Sequence, residues 1–101
     1  MAIAEVTIVP IGTATTSLSY YVADLQRVLQ KEEGISYTLT PMSTIIEGPL
    51  PLLWEVIARL HEVPFMSDAK RVSTSIKIDD RRDKVSSAAQ KLSSVQQKLN
   101  S

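Results

Sequence analysis

The chain has 101 residues, which is enough for one hydrophobic core and predicts one domain spanning residues 1–101. Its eleven basic and eleven acidic residues cancel, so the composition argues against nucleic acid as a partner, because phosphate binding needs a basic face. No cysteine is present, which excludes a disulfide framework, a thiolate nucleophile and a cysteine-based metal site.

The first part of the chain predicts a strand followed by a helix. Residues 3–9 are β-branched and apolar, and this strand stops at Pro10. After a loop of turn-forming and hydroxyl residues, the period changes from Ser17 onward to that of an amphipathic helix. Its apolar stripe consists of Leu18, Tyr21, Val22, Leu25, Val28 and Leu29. Gly34 stands where the residue after a helix C-terminus is expected.

A β-hairpin is predicted next, over residues 35–47. Its first strand is predicted to be half-buried, because apolar side chains alternate with hydroxyl side chains; Ile35, Tyr37 and Leu39 would face the core, and Ser36, Thr38 and Thr40 would face away from it. Pro41 and Met42 mark the turn, and residues 43–47 form the second strand.

The remaining elements are a helix, a strand and a final helix. The second helix starts after Gly48 and should end at Pro64; its buried stripe is Leu50, Leu53, Ile57 and Leu60, flanked by Trp54 and Val56. Residues 72–78 alternate regularly and predict a strand. A last helix, after residues 79–83, carries the stripe Val85, Ala88, Leu92, Val95 and Leu99.

The element order βαββαβ plus a C-terminal helix predicts an α+β protein with the ferredoxin-like arrangement, in which two helices cover one face of a four-stranded antiparallel sheet. The other face would carry Thr7, Ser36, Thr38, Thr40, Ser73, Ser75 and Lys77. Such a hydroxyl-rich face predicts either a sheet-to-sheet contact with another subunit or a platform for a ligand.

Three groups of residues, spread along the chain, carry a family resemblance. They are VPIGT at 9–13 with TSLS at 16–19, STIIEG at 43–48, and IDDRRD at 78–83. In combination they resemble the small thiamine-binding proteins. The resemblance implies a ferredoxin-like monomer that assembles into dimers and tetramers and binds thiamine or its hydroxymethylpyrimidine part, as a carrier or sensor, without catalysis.

Glu47 is the first candidate ligand-binding residue. Its carboxylate could accept charge-assisted hydrogen bonds from the aminopyrimidine edge of thiamine. The alternative is that Glu47 interacts with the dipole of the second helix, because acids are favoured at helix N-termini. Thr44 lies on the same strand. Alternation puts Thr44 and Glu47 on opposite faces unless the strand bulges or ends near Glu47.

Hydroxyl groups at the junction of the first strand and helix complete the predicted site. Thr16, Ser17 and Ser19 are three such groups, whereas a helix needs one N-cap, for which Ser17 is the best placed. The surplus is available to a ligand. We expect no catalytic residue, no metal ligand and no cofactor.

Other readings of the chain are less well supported. An RNA-binding sheet would need aromatic residues on its first and third strands, and residues 3–9 and 43–47 have none. An enzyme would need an activated nucleophile or a paired acid and base. His61 has no second histidine nearby, so dipole compensation or simple exposure is expected. Residues 79–83 are expected to form a solvated strand end and a helix cap with intersubunit ion pairs, and Asp79 is left as a possible site residue.

Two further predictions concern partners and location. An oligomeric regulatory or structural domain that binds another small metabolite is the competing function. The absence of a signal segment or a long apolar run predicts a cytoplasmic protein without membrane contact.

Overall fold

A computed structural model of the chain describes residues 1–12, 19–83 and 88–100, with the backbone alone at residue 19. The elements are β1 (Ala2–Pro10), α1 (Ser19–Gln30), β2 (Ser36–Leu39), β3 (Thr44–Gly48), α2 (Leu50–Met66), β4 (Val72–Asp80) and α3 (Ala88–Leu99). The predicted start of the first helix at Ser17 lies outside the described residues.

The four strands form one antiparallel sheet in the order β2-β3-β1-β4. This order places the two longest strands, β1 and β4, side by side along nine residue pairs, from Ala2 opposite Asp80 to Pro10 opposite Val72. The predicted ferredoxin-like fold is therefore confirmed, and a third helix follows the βαββαβ unit.

The hydrophobic core lies between the sheet and the helices α1 and α2. Ala4 and Val6 on β1 and Ile46 on β3 point into it, together with Leu25 and Leu29 of α1. The contribution of α2 is larger and consists of Leu53, Val56, Ile57, Leu60 and Val63. Burying a side chain of this size contributes about 1.5–3 kcal/mol each relative to exposure, so α2 anchors the core.

The edge strand β2 differs from the prediction of a half-buried strand. All four of its residues are exposed, including Tyr37 and Leu39. Because β2 is a four-residue edge strand, the helices cover little of it. The alternation correctly predicted the strand, but the placement of Tyr37 in the core was wrong.

Two helix ends also differ from the prediction. Helix α2 continues through Pro64 to Met66, and the carbonyl of Pro64 accepts hydrogen bonds from the N–H groups of Ser67 and Ala69. Pro64 lacks only its own N–H, so the turn that follows can still close. Helix α1 ends at Gln30, so Gly34 is not its C′ residue but sits in the loop before β2 with φ of +82°.

The face of the sheet opposite α1 and α2 is open, as predicted. The register aligns Thr38 with Ile45, Ile45 with Glu5, and Glu5 with Lys77. Thr7 is opposite Ser75 on the same face. Carboxylates and apolar side chains therefore interrupt the predicted hydroxyl surface.

Helix α3 has an exposed apolar stripe. Leu92, Val95 and Leu99 are 70%, 55% and 73% exposed, and within the described ranges α3 buries no residue. The molecule measures 50 × 29 × 20 Å, and its long dimension exceeds the roughly 30 Å that a nine-residue strand spans.

Candidate functional site

A cavity of about 430 Å³ opens between α1 and one end of the sheet. It lies where β1 and β2 end and β3 begins. Its walls are formed by residues 6–9 of β1, residues 39–44 of the hairpin, four α1 residues (Tyr21, Val22, Leu25, Leu29) and Leu60 of α2. Its volume is within the range of roughly 300–1,000 Å³ that is usual for small-molecule sites.

The hairpin turn forms one lip of the cavity and is held by Thr40. The Thr40 N–H donates to the Ser43 carbonyl at 2.8 Å, and Thr40 Oγ1 accepts from the Ser43 N–H at 3.0 Å. Ser43 Oγ in turn donates to Glu5 Oε2 at 3.2 Å, on the open face of the sheet. These contacts give the turn a defined shape, because a threonine hydroxyl can replace the backbone partners that a turn lacks.

Thr44 is the deepest polar side chain that borders the cavity. It is 8% exposed, and its Oγ1 accepts a hydrogen bond from Gln26 Nε2 at 3.5 Å. Since Gln26 is the donor in that contact, the Thr44 hydroxyl can still donate a hydrogen bond to an acceptor in the cavity. Gln26 lies four residues after Val22 and three before Leu29, so a polar group occupies the inner side of α1.

The lining is neutral. Every residue that borders the cavity in the described part of the chain has an uncharged side chain, and the hydroxyl of Thr44 is the buried one. An apolar wall with a few hydroxyls suits an uncharged ring that offers hydrogen-bonding atoms at its edge. A bare charge deep in such a cavity would lose its hydration without compensation.

Of the predicted ligand-binding residues, Thr44 borders this cavity. Ser19 begins α1, only two residues before the cavity residue Tyr21, but its side chain is not described. Thr16 and Ser17 lie outside the described residues. The sequence analysis missed Gln26, whose signal was a polar residue within the apolar stripe of a helix.

Glu47 lies away from the cavity, on the open face of the sheet. Its strand neighbours in the register are Ser36 on β2 and Ile3 on β1, and Ile3 is opposite Asp79 on β4. The register of β3 is continuous from Thr44 to Gly48, so Thr44 and Glu47 point to opposite faces, as alternation predicts.

The carboxylate of Glu47 contacts α3 rather than α2. Its Oε1 accepts a hydrogen bond from the Ala88 N–H at 2.7 Å, at the first residue of α3. Lys91, one turn later, forms an ion pair with Asp79. The predicted interaction with a helix N-terminus therefore exists, but with the third helix and not the second, which begins after Pro49 without a side-chain capping hydrogen bond.

His61 and the segment 79–83, both discussed from the sequence, have structural partners. His61 is half-buried: its Nδ1 lies 2.6 Å from Thr74 Oγ1 and its ring meets Phe65 edge-on. The prediction of simple exposure was wrong.

Arg81 binds Asp83 and Arg82 binds Asp80 within the chain, and these carboxylates raise the pKa of both guanidinium groups. The ion pairs of this segment described here are therefore intramolecular.

The fold and the sequence together identify the class of protein. The architecture is that of ferredoxin-like α+β domains, and residues 4–96 match the family model described as "Thiamine-binding protein". The chain belongs to this family. The UPF0045 protein YqgV of Bacillus subtilis is 54% identical over 98% of each chain.

Solved structures support the fold. The crystal structure of hypothetical protein MJ1052 from Methanocaldococcus jannaschii superposes with a TM-score of 0.83 at 32% identity, over 94% of this chain and 95% of the other. A putative thiamine biosynthesis/salvage protein from Thermotoga maritima, TM0486, has a TM-score of 0.76 at 18% identity, over 93% and 97%. Because TM0486 is 18% identical to this chain, its similarity shows the fold alone.

The helices described here are too short or too polar to cross a membrane.

Proposed function

We propose that this protein binds thiamine, or its hydroxymethylpyrimidine part, as a carrier or sensor and without catalysing a reaction. The observation that carries the proposal is the neutral cavity beside Thr44 in a chain that belongs to the thiamine-binding protein family. The cavity lies at the end of the sheet where β1 ends, and Thr16, Ser17 and Ser19 follow β1 in the sequence.

The chemistry of the cavity favours the pyrimidine half as the buried part of the ligand. The aminopyrimidine ring is neutral near pH 7 and flat, and its ring nitrogens can accept a hydrogen bond from a hydroxyl such as that of Thr44. The thiazolium ring of thiamine is cationic, so it would remain at the opening, and the half-buried Tyr21, which lines the cavity, is an aromatic side chain that a cation can pack against.

Glu47 remains a second proposed contact, for the amino group of the pyrimidine. Since Glu47 and Thr44 lie on opposite faces of β3, one ligand cannot reach both within one chain. The two positions therefore define two alternative sites, the cavity and the open face near α3. We favour the cavity because its volume of about 430 Å³ is enough to enclose a small molecule.

Binding measurements on matched variants separate these sites. Thr44→Val keeps the shape of the side chain but removes the hydroxyl, and should weaken binding of the pyrimidine fragment by about 1 kcal/mol, roughly fivefold in Kd. Thr38→Val, an exposed threonine on the open face, is the control. Calorimetry that gives equal affinities for Thr44→Val and wild type would move the ligand out of the cavity.

We also propose that the chain self-associates, as a dimer of dimers. The exposed stripe Leu92, Val95 and Leu99 supports this, because an apolar helix face without cover favours association. Light scattering at micromolar concentration tests it, and a mass near 11.1 kDa would reject it. The single domain and the cytoplasmic location remain predictions.

A competing function is an oligomeric regulatory or structural domain that binds another small metabolite. The cavity lining is compatible with this function, because hydroxyl groups and apolar walls can also bind small molecules other than thiamine. A thermal-shift screen of thiamine, its phosphates, its two halves and the amino acids decides between them. Stabilisation by an amino acid and by no thiamine fragment would establish the alternative.

A further inference from the structure

Gln26 lies on the inner side of α1, within the stripe of apolar residues that packs on the sheet. It is half-buried and stands between the buried Leu25 and Leu29 in the sequence. An amide removed from water in this way is costly unless it finds a hydrogen-bond partner. Its partner is Thr44 on β3, whose Oγ1 is 3.5 Å from Gln26 Nε2. The contact joins α1 to the buried hydroxyl of the cavity.

The other hydroxyl groups of the hairpin are used by the turn itself. Thr40 Oγ1 donates to the Ser43 carbonyl at 2.9 Å and accepts from the N–H groups of Met42 and Ser43 at 3.3 and 3.0 Å. A threonine hydroxyl has one proton and two lone pairs, so these bonds use the whole capacity of Thr40. Ser43 Oγ donates to Glu5 Oε2, on the open face of the sheet. Both groups therefore stabilise the turn.

The hydroxyl of Thr44 differs from these two, because its contact with Gln26 uses it as an acceptor. Gln26 donates through Nε2 and fills one lone pair of the oxygen. Among the hydrogen bonds of the described residues, none uses the proton of this hydroxyl. Thr44 is 8% exposed, so water has little access to it. A buried donor without an acceptor costs free energy, and a ligand that supplies the acceptor removes that cost.

The two ends of the Gln26 amide have opposite effects on this hydroxyl. With Nε2 toward Thr44, as in the structure, the hydroxyl accepts from Gln26 and keeps its proton for the cavity. With the amide carbonyl toward Thr44, the hydroxyl would donate to Gln26 and would offer the cavity only lone pairs. The orientation of Gln26 therefore decides which kind of ligand atom Thr44 can bind.

We propose that Gln26 is a positioning residue that holds the Thr44 hydroxyl as a hydrogen-bond donor, so that the cavity selects a flat ring with an acceptor nitrogen at its buried edge. The inference rests on the proposed function and specifies how the cavity recognises its ligand. Gln26 acts through Thr44, since it is not one of the described residues that border the cavity. Without Gln26, the hydroxyl proton has three staggered positions, so the preference for an acceptor should fall by up to about threefold.

Two probe molecules of one shape isolate the acceptor nitrogen. The first is the hydroxymethylpyrimidine part of thiamine, and the second is its benzene analogue, in which C–H groups replace both ring nitrogens. Both are neutral in weakly alkaline buffer, so charge does not enter the comparison. Calorimetry gives the ratio of their two dissociation constants for each variant. Comparing this ratio between variants cancels the difference in hydration of the two probes.

Gln26→Met removes the amide and keeps an unbranched side chain that suits a helix. It should lower the advantage of the pyrimidine over the benzene analogue by about threefold, and Thr44→Val should lower it by about fivefold. The double variant should match Thr44→Val, because Gln26 has nothing to orient once the hydroxyl is gone. Gln30→Met, which replaces an exposed glutamine one turn later on α1, is the matched control and should leave the ratio unchanged.

The outcomes separate this inference from the proposed function. A lower ratio in Gln26→Met but not in Gln30→Met, with no further fall in the double variant, supports the positioning role. An equal loss of affinity for both probes in Gln26→Met, or an unchanged ratio, overturns that role, and binding of the pyrimidine to the wild type then leaves the proposed function standing. A wild type that binds neither thiamine nor either probe overturns both.

Discussion

The carboxylate of Glu47 accepts a hydrogen bond from the backbone N–H of Ala88 at 2.7 Å. This bond joins the end of β3 to the start of α3. Residues in a first helical turn have N–H groups without partners inside the helix, and an acid there also complements the helix dipole. Glu47 thus acts as a remote cap for a helix that otherwise buries none of its described side chains.

Removing this cap should loosen α3 while leaving the core intact. A twelve-residue helix without tertiary packing is marginal in water, so a cap worth about 0.5–2 kcal/mol decides its population. We expect amide exchange in the first turns of α3 to accelerate roughly fivefold in Glu47→Ala and less in Glu47→Gln, whose amide oxygen can still accept. Glu33→Gln, an exposed acid, is the control. Unchanged exchange in Glu47→Ala would show that the hydrogen bond from Ala88 to Glu47 does not stabilise α3.

Thr44 and Glu47 show which features of the site could be predicted from the sequence and which could not. Alternation within β3 is local, so the opposite orientations of these two residues could be predicted. The contact of Glu47 with Ala88 joins residues 41 positions apart, and no local pattern specifies the partner. The cavity likewise depends on how α1 packs over the hairpin. In the sequence, Tyr21 and Val22 are visible only as part of an apolar stripe, which does not say where the helix packs.

A matched pair of glycine variants should separate steric crowding from backbone strain. Gly34 and Gly12 both have positive φ, of +82° and +79°. A Cβ at Gly34 would meet Leu52 Cδ2 at 3.0 Å, whereas a Cβ at Gly12 would meet nothing within 4 Å. Gly12→Ala should cost about 1 kcal/mol of unfolding free energy, and Gly34→Ala more. Equal losses in urea denaturation would mean that Leu52 moves aside freely.

Lysine on the open face of the sheet tests whether two sheets pack against each other. Thr38 and Ser75 lie on opposite edge strands but on the same face. If two open faces meet, Thr38→Lys and Ser75→Lys should both weaken the assembly, because a charge buried without a partner is costly. Sedimentation should then show a smaller species for each. An unchanged assembly in both variants would mean that the open faces stay in solvent.

Ligand fragments test the binding proposal most directly. Thiamine and its pyrimidine half should raise the melting temperature, because a ligand that binds only the folded state stabilises it by RT ln(1 + [L]/Kd), about 2.7 kcal/mol at a hundredfold excess over Kd. The thiazole half alone should not, because it lacks the aminopyrimidine edge that is proposed to meet the Thr44 hydroxyl in the cavity.

Two variants complete that measurement. His61→Ala should lower the unfolding free energy, because Thr74 loses its partner, yet leave the ligand-induced shift unchanged, since His61 does not border the cavity. Glu47→Gln should reduce the shift only if the open-face site near α3 is the one in use, because the amide keeps the shape but loses the charge-assisted acceptor. A reduced shift in Glu47→Gln with a normal shift in Thr44→Val would place the pyrimidine at Glu47, and the reverse pattern would place it in the cavity.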